Sequence, residues 1–218
     1  MKVINAIANK RYGLTRDEII AQTGMTTGET LSKALKELQE CGFIQKYKND
    51  ATSKNKCLYR IIDPLILFHH TFIRNTKIHS WKKYMNTPGY HNWHGLSFEV
   101  VGMNHIPQIK KALGISGVET TEYTWRSTTS TPGVQIDLVI NRSDDVISIC
   151  EMKYTTTPFE IDVDYERNLN TKIHTFQSET KTRKALHLIL VTPIGLKKNK
   201  HSDIILNTVT GDDLFESV

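Results

Sequence analysis

Two apolar runs in the middle of the chain, joined by five turn-forming residues, restrict its architecture more than any other feature. Residues 134–140 read Val-Gln-Ile-Asp-Leu-Val-Ile, and residues 146–154 read Val-Ile-Ser-Ile-Cys-Glu-Met-Lys-Tyr. Between them, Asn-Arg-Ser-Asp-Asp at 141–145 has the composition of a turn. Runs so rich in Val and Ile are strands that pack on a core. Period-two alternation puts Ile136, Leu138 and Ile140 on one face of the first strand, with Asp137 beside Val139 on the other. On the second strand Glu151 and Lys153 are two apart and share a face. An antiparallel pairing through the turn, with 14 residues from Asp137 to Glu151, brings Asp137, Glu151 and Lys153 together.

Charged side chains at the ends of buried strands are unfavourable unless they are paired or bound to an ion. The three form either a structural ion pair or a reactive cluster. Two carboxylates and a lysine are the groups that metal-dependent phosphodiester hydrolysis requires. Carboxylate oxygens hold Mg²⁺, with Mn²⁺ as the alternative. The ion polarises the phosphate and acidifies a water. Lys153 would orient that water or offset charge on the phosphate. A helix is expected over 93–103, carrying Glu99, and a second short helix from Pro107 to Gly114. After the second strand, a helix over 164–180 and a strand over 185–191 follow, and Lys172 and Gln177 on that helix are able to approach the cluster.

The first sixty residues follow a different plan. Thr15 and Glu18 make a capping-box signature, Ile19 and Ile20 form an apolar face, and Gly24 stops the helix. A second helix is expected from about 26 to 41, with Leu31, Ala34, Leu35 and Leu38 in one stripe. Residues 43–48 and 56–61 then read as strands around a polar tip at 49–55. With residues 1–10 as a first helix, this is the order of a winged helix-turn-helix, whose second helix enters the major groove and whose wing touches phosphate. The residues placed to meet DNA are Thr27, Thr30, Lys33 and Lys36 on the helix, and Lys46, Lys48, Lys54 and Lys56 on the wing. Gly24 and Gly28 do not form a nucleotide-binding loop, since no lysine follows the second glycine.

Asp63 and Pro64 open a helical bridge that is rich in aromatics and carries His69, His70, His79, His91 and His94. His91 and His94 have metal-ligand spacing but lack an evident third ligand. Residues 87–89 read Thr-Pro-Gly and mark the next boundary. The organisation expected is thus α+β: a winged helix-turn-helix at 1–62, a helical bridge at 63–90, and at 91–218 an α/β domain with a mixed central sheet. Charge follows this division. Residues 1–60 hold 11 Lys/Arg against 6 Asp/Glu, residues 61–118 hold 6 against 2, and residues 119–218 hold 11 against 15. A basic first half suits a phosphate-bearing partner, while the second half concentrates carboxylates. Three widely spaced cysteines without a Cys-x-x-Cys pair argue against a disulfide framework and a cysteine zinc site. No run approaches a membrane span, and the start lacks a secretory signal, so the expected setting is the cytoplasm, away from any membrane.

The order Glu99, Asp137, Glu151-Met-Lys153 resembles the PD-(D/E)XK nuclease superfamily, over about residues 93–191. The resemblance implies a restriction-endonuclease-like fold, with Glu99, Asp137 and Glu151 as metal ligands and Lys153 as the catalytic lysine. Cys150 stands where that pattern usually has glycine. Over its whole length the chain is similar to the C-terminal half of archaeal-type (DUF234-type) P-loop ATPases, which are found also in bacteria. It shares with them a winged helix followed by Leu-Tyr-Arg-Ile-Ile-Asp-Pro-Leu at 58–65 and a tail at 208–215. That resemblance implies DNA-linked work beside an ATPase domain, in cis in a longer chain or in trans. The leading expectation is a Mg²⁺-dependent DNA endonuclease; the alternatives are a non-catalytic DNA- or protein-binding module serving an ATPase, and a regulator with a ligand-sensing C-terminal domain.

Overall fold

The computed structural model describes residues 1–10, 13–26, 28–48, 57–74, 81–85, 87–127 and 129–218. The chain divides into two compact units, Met1–Val100 and Val101–Val218.

In the first unit, α1 (Lys2–Ala8), α2 (Arg16–Thr23) and α3 (Glu29–Glu40) precede a hairpin of β1 (Ile44–Lys48) and β2 (Cys57–Ile61). The capping box of α2 forms as its sequence dictates. The Glu18 amide donates to the Thr15 hydroxyl at 3.2 Å, and the Thr15 amide donates to the Glu18 carboxylate at 2.7 Å. Gly24 closes the helix in the left-handed region at φ 65°. Leu31 and Leu35 are the buried positions of α3; they pack with Val3, Ile7, Ile19 and Ile44. The hairpin is antiparallel from Ile44 opposite Ile61 to Lys48 opposite Cys57. Leu14 exchanges backbone hydrogen bonds with Tyr59, at 3.0 and 2.8 Å, and extends this ribbon on one side. Only glycine fits before it. Gly13 has φ +80°, and a Cβ there would stand 2.5 Å from the Tyr59 carbonyl oxygen.

Beyond the hairpin, α4 (Pro64–Phe68) starts as expected, its first amides capped by Asp63 at 2.7 and 3.3 Å from Leu65 and Ile66. It runs on into a π-helical turn, His69–Ile73. The next helix, α5 (Pro88–Asn104), begins five residues before the expected 93, because Pro88 suits a first helical position. Trp93 of α5 donates its indole N–H to the Pro64 carbonyl at 3.1 Å and packs edge-on against Phe68 and Phe72.

The second unit contains α6 (Ile106–Ala112), β3 (Thr120–Arg126), β4 (Gln135–Arg142), β5 (Val146–Met152), β6 (Phe159–Glu160), α7 (Val163–Thr180), β7 (Ala185–Val191), β8 (Leu196–Lys197), β9 (Asn207–Val209) and α8 (Gly211–Leu214). Among the described residues it holds a mixed five-stranded sheet in the order β3-β4-β5-β7-β9. The β3–β4 and β4–β5 pairs are antiparallel, and β5–β7 and β7–β9 are parallel. A parallel neighbour requires a crossover, and α7 supplies it between β5 and β7. Asp162 caps α7 by accepting the Tyr165 amide at 2.7 Å. Leu169 and Phe176 of α7 are buried with Val139, Ile147, Ile149, Leu188 and Leu190 of the sheet. The fold is therefore mixed α/β, with β5 flanked by a strand on each side. Among the described residues no helix is long and apolar enough to cross a membrane.

Tyr47 on β1 yields a prediction for alkaline pH. It is 8% exposed, its hydroxyl donates to Gln45 Oε1 at 3.0 Å, and the Arg60 guanidinium lies 5.9 Å from its ring centre. Burial pushes its phenol up to about 12 against the opposing pull of Arg60. The folded value exceeds the unfolded one, near 10. The stabilisation is therefore complete below about pH 10 and is lost as pH rises through about 12, a change of roughly 2–3 kcal/mol. Urea titrations between pH 9 and 12 should show that loss in the wild-type chain and a clearly flatter profile in Tyr47→Phe.

Candidate functional site

The carboxylates singled out in the sequence sit at the end of the β4–β5 pair. Glu151, the second-last residue of β5, is 5% exposed. An anion so buried requires partners, and α7 provides two. Lys172 Nζ is 2.6 Å from Glu151 Oε2, and the Tyr165 hydroxyl donates to Oε1 at 3.0 Å. Lys153, the residue immediately after β5, brings its ammonium to 3.8 Å from Oε1 and to 5.1 Å from the centre of the Tyr165 ring. The two lysines differ in access: the Lys172 side chain is 17% exposed and that of Lys153 34%.

The reason α7 reaches Glu151 is written in its spacing. Tyr165, Leu169, Lys172, Ile173 and Phe176 recur at helical intervals on one stripe. Leu169 and Phe176 anchor that stripe in the core, with Tyr165 and Ile173 partly buried against it. The polar ends of Tyr165 and Lys172 then meet the one carboxylate on the apolar strand beneath. The sequence made Lys172 a possible neighbour of the cluster and missed Tyr165. Its signal was a phenol seven residues before Lys172, two turns away on the same face.

Asp137 is 6% exposed, and its Oδ2 accepts the backbone N–H of Met152 at 3.0 Å. Ladder pairing between β4 and β5 runs from Asn141 opposite Ile147 to Leu138 opposite Cys150. Asp137 is the next residue along β4, and its side chain bonds to the β5 backbone there. The strict alternation expected for β4 does not hold. Tyr123 faces Val139 while Trp125 faces Ile136, so Asp137 and Leu138 together oppose Thr124 in a β-bulge. Ile136 and Val139 consequently share one core cluster, where alternation had put them on opposite faces. Burial, and to a smaller degree the Asp137 carboxylate, push the fully buried Cys150 thiol up, so Cys150 is an inert packing residue.

Asp137 and Glu151 thus occupy adjoining positions of neighbouring strands, with Lys153 just beyond the end of β5 and Lys172 and Tyr165 closing over Glu151. Glu99 belongs to the first unit. Its Oε2 lies 2.7 Å from Arg60 Nη2, and both side chains are almost fully buried, at 2% and 6% exposed. The pair joins β2 to α5 across 39 residues, and nothing local in the sequence identified Arg60 as the partner.

Of the residues expected to meet DNA, Thr30, Lys33 and Lys36 are exposed on α3, and Lys46 and Lys48 are exposed on β1. Lys33 and Lys36 approach Glu37 and Glu40 at 3.9 and 3.7 Å, one helical turn on, so acidic partners offset the charge of that face. Thr27, Lys54 and Lys56 lie outside the described residues. The His94 ring sits 4.3 Å from Tyr90 and 4.8 Å from Trp93, an aromatic packing role, and burial holds its basicity below the usual histidine range. Among the described residues no group of three or more His, Cys, Asp or Glu side chains is placed to hold a metal ion. No family model, curated protein or solved structure matches the chain.

The Arg60–Glu99 pair has a measurable consequence. Removing one partner leaves the other charge buried, which costs about 3–5 kcal/mol, whereas replacing both by apolar groups of similar volume is close to neutral. Denaturant titration should therefore find Arg60→Ala strongly destabilised, and Arg60→Met combined with Glu99→Leu recovering most of the loss.

Proposed function

We propose that the chain is a Mg²⁺-dependent DNA endonuclease of the PD-(D/E)XK type, whose first unit is a winged helix-turn-helix that docks on DNA. The observation that carries this reading is the placement of two buried carboxylates, Asp137 and Glu151, on adjacent strands beside Lys153, whose side chain keeps a third of its surface in solvent.

The donor set suits the ion. Carboxylate oxygens are the hard ligands Mg²⁺ takes, and Glu151 Oε2 already attracts an ammonium to 2.6 Å. Asp137 and Glu151 would hold Mg²⁺ or Mn²⁺, which supplies Lewis acidity toward the scissile phosphate. The chain's own groups do the rest. Asp137 is fixed by the Met152 amide. Glu151 is oriented by Tyr165. Lys153 faces solvent, where it positions the attacking water and offsets charge that builds on the phosphate oxygens. The water oxygen bonds to phosphorus and gives up a proton to solvent, the bond from phosphorus to the leaving oxygen breaks, and that oxygen takes up a proton from solvent.

The order α1, α2, α3 and hairpin, with Leu14 pairing to Tyr59, supports the winged-helix reading of the first unit. Phosphate contact would come from the exposed lysines Lys33 and Lys36 on α3 and Lys46 and Lys48 on β1. An ATPase domain, in cis or in trans, is the expected partner, in the cytoplasm.

One observation favours a second reading. Asp137 and Glu151 are balanced in formal charge by Lys153 and Lys172 without any ion. A non-catalytic module that binds DNA or a protein would have the same neutral cluster. Incubation of supercoiled plasmid and single-stranded DNA with Mg²⁺ or Mn²⁺ separates the two. Cleavage by the wild-type chain that falls about 100-fold or more in Asp137→Asn and Lys153→Ala supports the nuclease. Salt-sensitive DNA binding without any cleavage supports the binding module.

A further inference from the structure

We infer that Lys172 is a built-in counter-ion for Glu151, holding the place of a divalent cation until one binds and then yielding it. The inference rests on the metal-dependent reading above, and it concerns a residue that the Asp–Glu–Lys pattern does not include.

The geometry distinguishes the two lysines. Lys153 stays 3.8 Å from Glu151 and lies over the Tyr165 ring, which attracts cations on its own account. Its position survives without close contact to the carboxylate. Lys172 instead makes a direct charge-assisted bond to Oε2 at 2.6 Å, and it is the more buried of the pair. Tyr165 donates to the other oxygen, Oε1. Glu151 therefore keeps its orientation if Lys172 lets go. The flexible four-carbon stem of lysine, starting from a fixed helix, allows the ammonium to swing while α7 stays packed through Leu169 and Phe176. An anion buried to this degree is unfavourable when left alone, so the ammonium keeps the metal-free site folded. Two cations cannot both occupy the near side of Oε2, so metal and ammonium compete for it. The displaced ammonium remains at the site, where it suits a phosphate oxygen.

A purely structural salt bridge predicts the opposite response to mutation, so metal affinity is the deciding measurement. MnCl₂ is titrated calorimetrically into the full chain as wild type, Lys172→Met, Lys172→Gln and Lys172→Arg, with thermal melts run with and without Mn²⁺. Removing the competing charge should tighten Mn²⁺ binding about tenfold in Lys172→Met and Lys172→Gln. Both should melt several degrees lower without metal and regain that loss with it, and Lys172→Arg should stay near wild type. Two neutral variants of different polarity keep the test usable if one fails to fold. Wild-type binding with equal or weaker affinity in both neutral variants overturns the counter-ion role and leaves the metal site standing. Absence of Mn²⁺ binding in every form overturns the metal reading itself, and the role of Lys172 with it.

Discussion

A carboxylate near the end of a strand that has neighbours on both sides and a helix over its face is hard to accommodate, and much of the second unit follows from how Glu151 is accommodated. The charge is tolerated because α7 delivers Lys172 and Tyr165 to it, at 2.6 and 3.0 Å. That delivery fixes the rotation of α7 about its axis, since Tyr165 and Lys172 must face β5 on the same stripe as Leu169 and Phe176. It also fixes the register of β5. A slip of one residue would exchange Glu151 for Cys150 or Met152 beneath the helix and leave two donors facing an apolar surface. The packing of the core and the neutralisation of one anion are a single requirement here.

Asp137 imposes a second condition, on β4. Its carboxylate takes the Met152 amide, and the bulge that carries it puts two residues opposite one on β3. Reading β4 by period two located the aspartate at the right strand and beside the right neighbour, but it assumed a regular ladder. Bulges leave no mark in hydrophobic periodicity, because Ile136, Leu138, Val139 and Ile140 are all apolar and any face assignment satisfies them. The strand β3 escaped notice for a related reason. Thr-Thr-Glu-Tyr-Thr-Trp-Arg has strand-forming residues without clean alternation, and its place is set by pairing to β4. By contrast, the capping box of α2, the Asp63-Pro64 start of α4 and the helix over 164–180 were legible, because each is decided within a few residues along the chain.

The first unit shows the same limit from another side. Glu99, read from the sequence as a helix residue of the reactive cluster, has Arg60 bonded to it. Ion pairs between residues 39 positions apart depend on which elements the fold brings together, and neither partner announces the other. Gly13 was equally silent. Its need for glycine comes from the carbonyl of Tyr59, which reaches it only once the Leu14 bridge has formed. Local chemistry set the helices of this unit, and long-range contact decided what its buried charges do.

The balance of charge at Glu151 bears directly on the choice between a reactive cluster and a structural one. Compensating a buried carboxylate takes one well-placed cation and a hydrogen bond, and Lys172 with Tyr165 already supply both. Lys153 adds little to this compensation. It stands 3.8 Å away, keeps a third of its side chain in solvent and gains part of its stabilisation from an aromatic ring. Lys153 also stands beside the second buried carboxylate, Asp137, so the two lysines together offset the two carboxylates in formal charge. A site that must meet an anionic phosphate has use for both features: a lysine that can reach outward, and carboxylates that can exchange an internal cation for an external one. What a phosphate site would use and a purely structural cluster would not need is the outward reach of Lys153, a third of whose side chain is in solvent.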